Sequence, residues 1–261
     1  MTRTYIVTGS ASGIGAATSN LLKERGYNVI GVDLRNADVE ADLSTPEGRS
    51  TAAAKAVELA GGNVDAVIAC AGISAPAPIT VAVNFFGVTE FLTALAPVLA
   101  KSSAPRAVVV SSMASLQPNS PELVDAMLAG NEAEALRIGQ TLVEAGPQVG
   151  YLNYPSSKRA LSRWVRRESI SPLFAGAGIP LNAVAPGTVL SAMTRDLLST
   201  PEGRAMVDEN VPMPLNGHSE PEVIARLLIW LASEENTHTT GQTIYTDGGA
   251  DATLRGDDIW S

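Results

Sequence analysis

The stretch Tyr5-Ile6-Val7-Thr8-Gly9-Ser10-Ala11-Ser12-Gly13-Ile14-Gly15, followed by a helical run from Ala16 to Arg25 and a stop at Gly26, decides the fold. An aromatic and β-branched run, a glycine-rich turn and a helical stretch in that order spell strand, tight turn, helix. Gly9, Gly13 and Gly15 let the backbone approach a pyrophosphate, and the free N–H groups at the helix start point at its charge. Ser12 and Ile14 share that turn. Any tight strand-to-helix connection also uses glycine, so the neighbouring segments must decide.

Working outward, Asn28-Val29-Ile30-Gly31-Val32-Asp33 reads as a second strand, with Leu34 just past its acidic end. Val64 to Ala69, Ala107 to Val110, Leu181 to Val184 and Thr243 to Tyr245 read as further strands, separated by helical lengths such as Pro46 to Ala60. Strands alternating with helices imply right-handed crossovers and a parallel sheet covered on both faces. The expected class is therefore α/β: a three-layer, doubly wound Rossmann fold. No repeat or Pro/Ser-rich linker marks a boundary, so residues 1–261 are expected to form one domain. Leu116 to Gly150 departs from the rhythm with two capped helical patterns, one from Ser120-Pro121-Glu122 to Gly130 and one from Asn131 to Gly146-Pro147. It is expected to be a helical insertion (residues 116–150) before the helix that carries Tyr154. Met193 to Gly217 mixes Met193, Leu197, Leu198, Met206, Val211 and Met213 with Pro212 and Pro214. It is expected to be a mobile flap over a pocket, although such residues equally fill plain core.

Composition narrows the function classes. Of 261 residues 45% are hydrophobic and 17% charged, a globular balance in a chain long enough to bury a core without metal or cross-link. The single Cys70 excludes an intramolecular disulfide, and with only His218 and His238 beside it no metal site is expected. Eighteen basic against 27 acidic residues leave a net charge of −9, which repels a phosphate backbone. A small molecule is the expected partner, with no nucleic acid. Met1-Thr2-Arg3 leads straight into the first strand without a signal-peptide pattern, so a cytoplasmic protein is expected. The uncharged run Ala66 to Thr89 has the length of a membrane span, but Gly72, Pro76, Pro78 and Gly87 make it strand, loop and helix start. No membrane partner is expected.

Three features carry chemistry. Asp33, at the end of the second strand, is placed to accept hydrogen bonds from an adenosine ribose and to repel a 2′-phosphate. Ser12, where a base could meet that phosphate, points the same way, to NAD over NADP. An acid there also serves as a plain turn former. Tyr154 and Lys158 at i, i+4 share one helical face, where the ammonium is expected to depress a phenol pKa that starts near ~10 and so make a proton donor and acceptor. The same spacing occurs on helix surfaces where lysine merely solvates. Ser111 and Ser112 follow a strand, at the sheet edge where open α/β folds hold ligands.

The sequence resembles the classical short-chain dehydrogenase/reductase family over nearly its whole length. The likeness rests on Thr8-Gly9-x-x-x-Gly13-x-Gly15, Asp42-Leu43, Cys70-Ala71-Gly72, Asn84, Ser112, Tyr154-x-x-x-Lys158, Pro186-Gly187 and Asp247-Gly248-Gly249, in the family order. Within the family it resembles the bacterial 3α-hydroxysteroid dehydrogenase/carbonyl reductases, through Gly13 to Thr18, Ala41 to Thr45, Asn84-Phe85-Phe86-Gly87 and the long segment before Tyr154. The resemblance implies a tetrad of Asn84, Ser112, Tyr154 and Lys158. In it Tyr154 exchanges a proton with the substrate oxygen, Ser112 holds that oxygen, Lys158 binds the nicotinamide ribose and Asn84 positions a water linking Lys158 to solvent. It further implies that Asp42 and Leu43 flank the adenine, that Ala71, Gly72 and the Pro186-Gly187 turn line the cofactor cleft, and that Val189 and Ser191 meet the carboxamide.

Two departures from the family pattern stand out. Cys70 replaces the usual asparagine and reads as a small buried residue. The segment before Tyr154 is longer than in typical members; its helices from Ser120 to Ala145 either cover the substrate mouth or alter the subunit interface, and the interface effect, a homodimer in place of the common homotetramer, is the one expected. The expected activity is NAD-dependent hydride exchange between the cofactor and a hydrophobic secondary alcohol or ketone: a hydroxysteroid, a cyclic or aryl ketone, or an aromatic amino alcohol drawn by Asp247, Asp251, Asp257 and Asp258. Those four acids read more simply as a solvated tail. A catalytically silent NAD(H)-binding redox sensor is the competing class, opposed by the intact Ser112, Tyr154 and Lys158, and a nucleotide-sugar epimerase lacks the chain for its substrate domain. His218 and His238 read as solvated, Trp164 and Trp230 as packing, and Trp260 as a residue that closes over substrate or a neighbouring subunit.

Overall fold

Side chains of Tyr5, Ile6 and Val7 alternate across β1 (Thr4–Thr8), Ile6 joining one apolar layer and Tyr5 and Val7 the other. That two-sided burial requires helices on both faces of a parallel sheet. The computed structural model describes residues 2–259. Its remaining strands are β2 (Asn28–Asp33), β3 (Val39–Glu40), β4 (Ala66–Ala69), β5 (Arg106–Val110), β6 (Leu181–Pro186) and β7 (Thr243–Thr246). All neighbours pair in parallel, in the order β3-β2-β1-β4-β5-β6-β7. The order reverses at β1 and β4, and the reversal opens a crevice at the carboxyl ends of the strands.

The helices in chain order are α1 (Gly13–Glu24), α2 (Pro46–Leu59), α3 (Ile79–Val81), α4 (Gly87–Leu99), α5 (Pro121–Leu128), α6 (Glu132–Glu144), α7 (Pro147–Gly150), α8 (Asn153–Glu168), α9 (Ala192–Arg195), α10 (Pro201–Asn210), α11 (Pro221–Leu231) and α12 (Ala250–Arg255). Leu22 of α1 and Ile224 and Leu228 of α11 cover one face of the sheet. Ala52 and Ala56 of α2, Phe91 and Leu92 of α4, and Leu161 and Trp164 of α8 cover the other. Trp164 packs edge-on against Phe174, whereas Trp230 leaves much of its surface in water. Trp260 lies outside the described residues.

A π-helical turn, Ala82–Phe86, joins α3 to α4, so one continuous helix runs from Ile79 to Leu99. That helix is long and apolar enough to cross a membrane, but 72% of its apolar window is buried within the fold. Its hydrophobicity is thus spent on the sheet. The run Ala66 to Thr89 folds as strand, loop and helix start.

Between β5 and α8 the capped helices form as the capping residues dictate. Ser120 Oγ accepts from Leu123 N at 3.3 Å and Asn131 Oδ1 from Glu134 N at 3.2 Å. Leu123, Val124 and Met127 of α5 join the core beneath α8. Buried Arg49 of α2 ties the next helix down: it donates to Glu132 Oε1 at 2.5 Å, to Glu90 Oε2 at 3.0 Å and to the Leu43 carbonyl at 2.9 Å.

The segment expected to form a flap carries short helices, α9 and α10 among them. Thr200 Oγ1 accepts from Gly203 N at 3.1 Å and Pro201 opens α10, so the segment winds into helix. Leu198 is buried. Met213 turns its sulfur to the Thr188 N–H at 3.2 Å. Of the six apolar residues only Met193 lines the crevice.

Candidate active site

The crevice has a volume of about 530 Å³ and is lined by Gly9, Ser12, Gly13, Ile14, Gly15, Asp33, Leu34, Asp42, Leu43, Ala71, Gly72, Ser112, Tyr154, Lys158, Pro186, Gly187, Val189 and Ser191. These are the expected site residues except Asn84, which is fully buried behind the wall.

At one end, Gly9 (φ +67°) and Gly13 (φ +50°) adopt backbone that disfavours a side chain. A Cβ on Gly9 would come within 2.8 Å of Ala71 N, and one on Gly15 would collide with the Gly9 carbonyl. The Asp33 carboxylate accepts from Ala11 N at 3.0 Å and Leu34 N at 2.6 Å, so it braces the glycine turn from the tip of β2. Asp42 Oδ1 accepts from Ser44 N at 2.8 Å in the next loop. Among the described lining residues Lys158 is the only cation.

At the other end, Ser112 follows β5, its hydroxyl accepting from Ala114 N at 3.1 Å, and Tyr154 and Lys158 descend from α8. Ser111 also lines the crevice, but its hydroxyl is engaged by the Lys158 carbonyl at 3.2 Å and by Ser162 Oγ at 2.8 Å, and so fastens α8 to β5. The Tyr154 phenol is pushed up from its usual range, not down: burial disfavours the phenolate, and the Ser112 hydroxyl offsets this only in part. Lys158 is itself pulled down to about 8 by burial and donates to the Val110 carbonyl at 2.9 Å. Its nitrogen lies 5.9 Å from the phenol ring centre. The direction is opposite to the one expected from a cation one turn away: desolvation acts on both groups, and the ammonium donates to the Val110 carbonyl.

Asn84 occupies the π-helical turn. Its Nδ2 donates to Ile73 O at 2.9 Å and Ser157 Oγ at 3.1 Å, and its Oδ1 accepts from Ile73 N at 2.8 Å. A Cβ on Gly72 would lie 3.2 Å from Asn84 Oδ1 and 3.4 Å from Lys158 Nζ, so the two polar atoms face one notch beside Gly72. Cys70 lines the crevice and is half-buried, yet loss of water drives its thiol up to about 12.

Three expectations, for His218, Asp247 and Asp251, need correction, whereas His238 is solvated as expected. His218 is not simply solvated: its Nε2 bonds Asp208 Oδ1 at 2.9 Å, tying a loop to α10. His238 is exposed and bonds Thr237. Asp247 is not tail but buried, accepting from Gly249 N at 3.0 Å and Asp251 N at 2.7 Å at the start of α12. Asp251 pairs with Arg255. Lining residues the sequence did not reveal, such as Ile73, Ile79 and Val83, are apolar and carry no chemical signature, whereas Met193 was expected over the pocket. Thr194 could have been noticed as a helix-start hydroxyl: it donates to Val189 O at 2.5 Å.

A family model described as Enoyl-(Acyl carrier protein) reductase matches residues 9–251. The chain is 37% identical over 255 residues to the 3-alpha-hydroxysteroid dehydrogenase/carbonyl reductase of Comamonas testosteroni, covering 96% of this chain and 97% of that one. The chain belongs to the short-chain dehydrogenase/reductase family. The crystal structure of the 3-alpha-hydroxysteroid dehydrogenase from Pseudomonas sp. B-0831, complexed with NADH, superposes with a TM-score of 0.89 at 39% identity, over 98% of this chain and 100% of that one. A putative NAD(P)-dependent gluconate 5-dehydrogenase from Beutenbergia cavernae with bound NADP gives a TM-score of 0.74 at 25% identity, over 96% and 97%. Like other members of the family, the chain is an oxidoreductase acting on CH–OH donors.

Proposed function

We propose that this protein is a cytoplasmic NAD-dependent dehydrogenase/carbonyl reductase acting on hydrophobic secondary alcohols and ketones, with hydroxysteroids and cyclic or aryl ketones as the substrate class. The observation that carries the reading is a single crevice with the glycine turn and Asp33 at one end and Ser112, Tyr154 and Lys158 at the other. A nicotinamide dinucleotide fits this lining: the backbone of Gly13 to Gly15 approaches the pyrophosphate, Asp33 the adenosine ribose, Asp42 and Leu43 the adenine, and Val189 and Ser191 the carboxamide. When bound, the nicotinamide gives or takes the hydride. Asp33 repels a 2′-phosphate, and with no arginine among the described residues lining the crevice NAD is favoured over NADP. The relative bound to NADP makes this preference a point to be measured.

Tyr154 donates the proton to the substrate oxygen in reduction and takes it back in oxidation. Its raised pKa keeps it protonated, the form in which it is an acid. Ser112, already bonded to the loop, presents its hydroxyl to the same oxygen as a preset donor. Lys158 holds the nicotinamide ribose, and Asn84 Oδ1 and Lys158 Nζ share the Gly72 notch as a route for the proton toward solvent. The apolar Ile73, Ile79 and Met193 suit a hydrophobic skeleton. Residues 116–150 are an insertion within one domain, and by covering α8 they favour a homodimer over a homotetramer.

The test is ketone reduction followed by loss of NADH absorbance, with NADPH in parallel. Reduction of steroid and aryl ketones at a higher kcat/KM with NADH supports the reading. Failure to turn over any of them while binding NADH would replace it with a nucleotide sensor.

A further inference from the structure

The segment between β5 and α8 ends by delivering an aromatic ring to the reacting end of the crevice. Tyr151 follows α7, and its ring centroid lies 6.1 Å from that of Tyr154, tilted by 39°. It stands just outside the residues that line the crevice and is 41% exposed. Its hydroxyl is pushed up to about 12 by burial and by Tyr154, so it stays neutral.

The placement is held from several sides. A Cβ on Gly150 would lie 3.2 Å from Val143 Cα and 3.4 Å from the Pro76 carbonyl, so the end of α7 docks closely between α6 and the loop after β4. Asn153, fully buried, donates to the carbonyls of Gly139 at 3.1 Å and Gly150 at 2.9 Å, on either side of this dock. Two other apolar side chains at the crevice stay in water: Ile79, 48% exposed, and Met193, 49% exposed. Such surface, next to the proton donor, gains free energy when a hydrophobic ligand covers it.

We infer that Tyr151 is a specificity-determining residue, its ring the platform on which the part of a substrate remote from the reacting carbon rests, so that fused-ring ketones are selected over single rings. This rests on the functional reading above. The reacting oxygen must sit at the Tyr154 hydroxyl, and a skeleton of one ring ends near that group. Further rings extend outward past Tyr154, where Tyr151 offers an aromatic face with few torsions to freeze.

The experiment compares kcat/KM for a steroid 3-ketone and for cyclohexanone, in wild type, Tyr151→Phe, Tyr151→Leu and Tyr151→Ala. NADH binding by fluorescence reports whether each variant is folded. The steroid-to-cyclohexanone ratio is expected to fall about tenfold in Tyr151→Ala, chiefly through the steroid KM, and to stay near wild type in Tyr151→Phe. If Tyr151→Ala does not fold, Tyr151→Leu carries the test, with a fall of about threefold. An unchanged ratio in a folded Ala or Leu variant overturns the inference, as does a Phe variant as impaired as Ala, or a wild type that reduces cyclohexanone but no fused-ring ketone. A wild type that reduces neither ketone overturns the functional reading itself, and this inference with it.

Discussion

Lys158 and Tyr154 are one helical turn apart, yet the lysine ammonium bonds the Val110 carbonyl at 2.9 Å and stands 5.9 Å from the phenol ring centre. Each group lies in surroundings that penalise its charged form: the phenol is raised and the lysine lowered to about 8. The pair is thus uncharged more readily than its spacing implies, and the tyrosine is held as an acid.

Stability should report this directly. The folded pKa of Lys158 lies below that of the unfolded chain, so below pH 8 the buried ammonium carries its full penalty. The penalty shrinks as pH rises toward the unfolded value of 10.5. Substituting Lys158→Met removes the group. The stability of the variant minus that of wild type should be flat below pH 8 and fall by about 3 kcal/mol by pH 10.5, read from urea midpoints. A difference that does not change with pH would show that the lysine is not desolvated.

Asp33 braces the glycine turn and also sits where a ribose is expected. Asp33→Ser should raise the ratio of kcat/KM for NADPH to that for NADH by about tenfold or more, by removing a like charge from the 2′-phosphate. Steady-state kinetics with both cofactors decide this. A wild type that already prefers NADPH contradicts the role.

Arg49 is buried with its guanidinium shared between Glu132 at the start of α6 and Glu90 of α4, so its removal leaves the largely buried Glu132 carboxylate without its partner, while Glu90 stays half in water. Arg49→Met should cost about 3 kcal/mol in urea unfolding with an unchanged denaturant slope. Because Arg49 also holds the Leu43 carbonyl, NADH affinity should weaken with it. An unchanged midpoint would show that the helices before α8 are secured elsewhere.

Cys70 should be inert despite lining the crevice. With its thiol raised to about 12, almost no thiolate exists at pH 8, so iodoacetamide should label the native protein far more slowly than the urea-unfolded chain. Equal labelling rates would refute the desolvated environment.

Much of the fold was legible because it follows from local chemistry. The run Tyr5 to Gly15 and the β-branched strands carry their own periodicity, and Ser120 and Asn131 mark helix starts through their side-chain oxygens. The two-residue β3 is too short to show alternation, and α7 is a single turn. The glycine turn, Asp33, Ser112, Tyr154 and Lys158 were legible because their chemistry is distinctive. Tyr151, Ile73 and Ile79 were not, since such residues acquire a role only from where the chain brings them. The sign of the Tyr154 shift was hidden for a related reason: spacing along a helix reveals a neighbour, whereas burial depends on the whole fold.

The most direct test is Tyr154→Phe, which removes one hydroxyl and keeps the ring. Turnover of a ketone substrate is expected to fall by about a thousandfold while NADH binding, measured by fluorescence titration, stays within about twofold of wild type. Turnover close to that of wild type would show that the proton comes from elsewhere and would contradict the proposed chemistry.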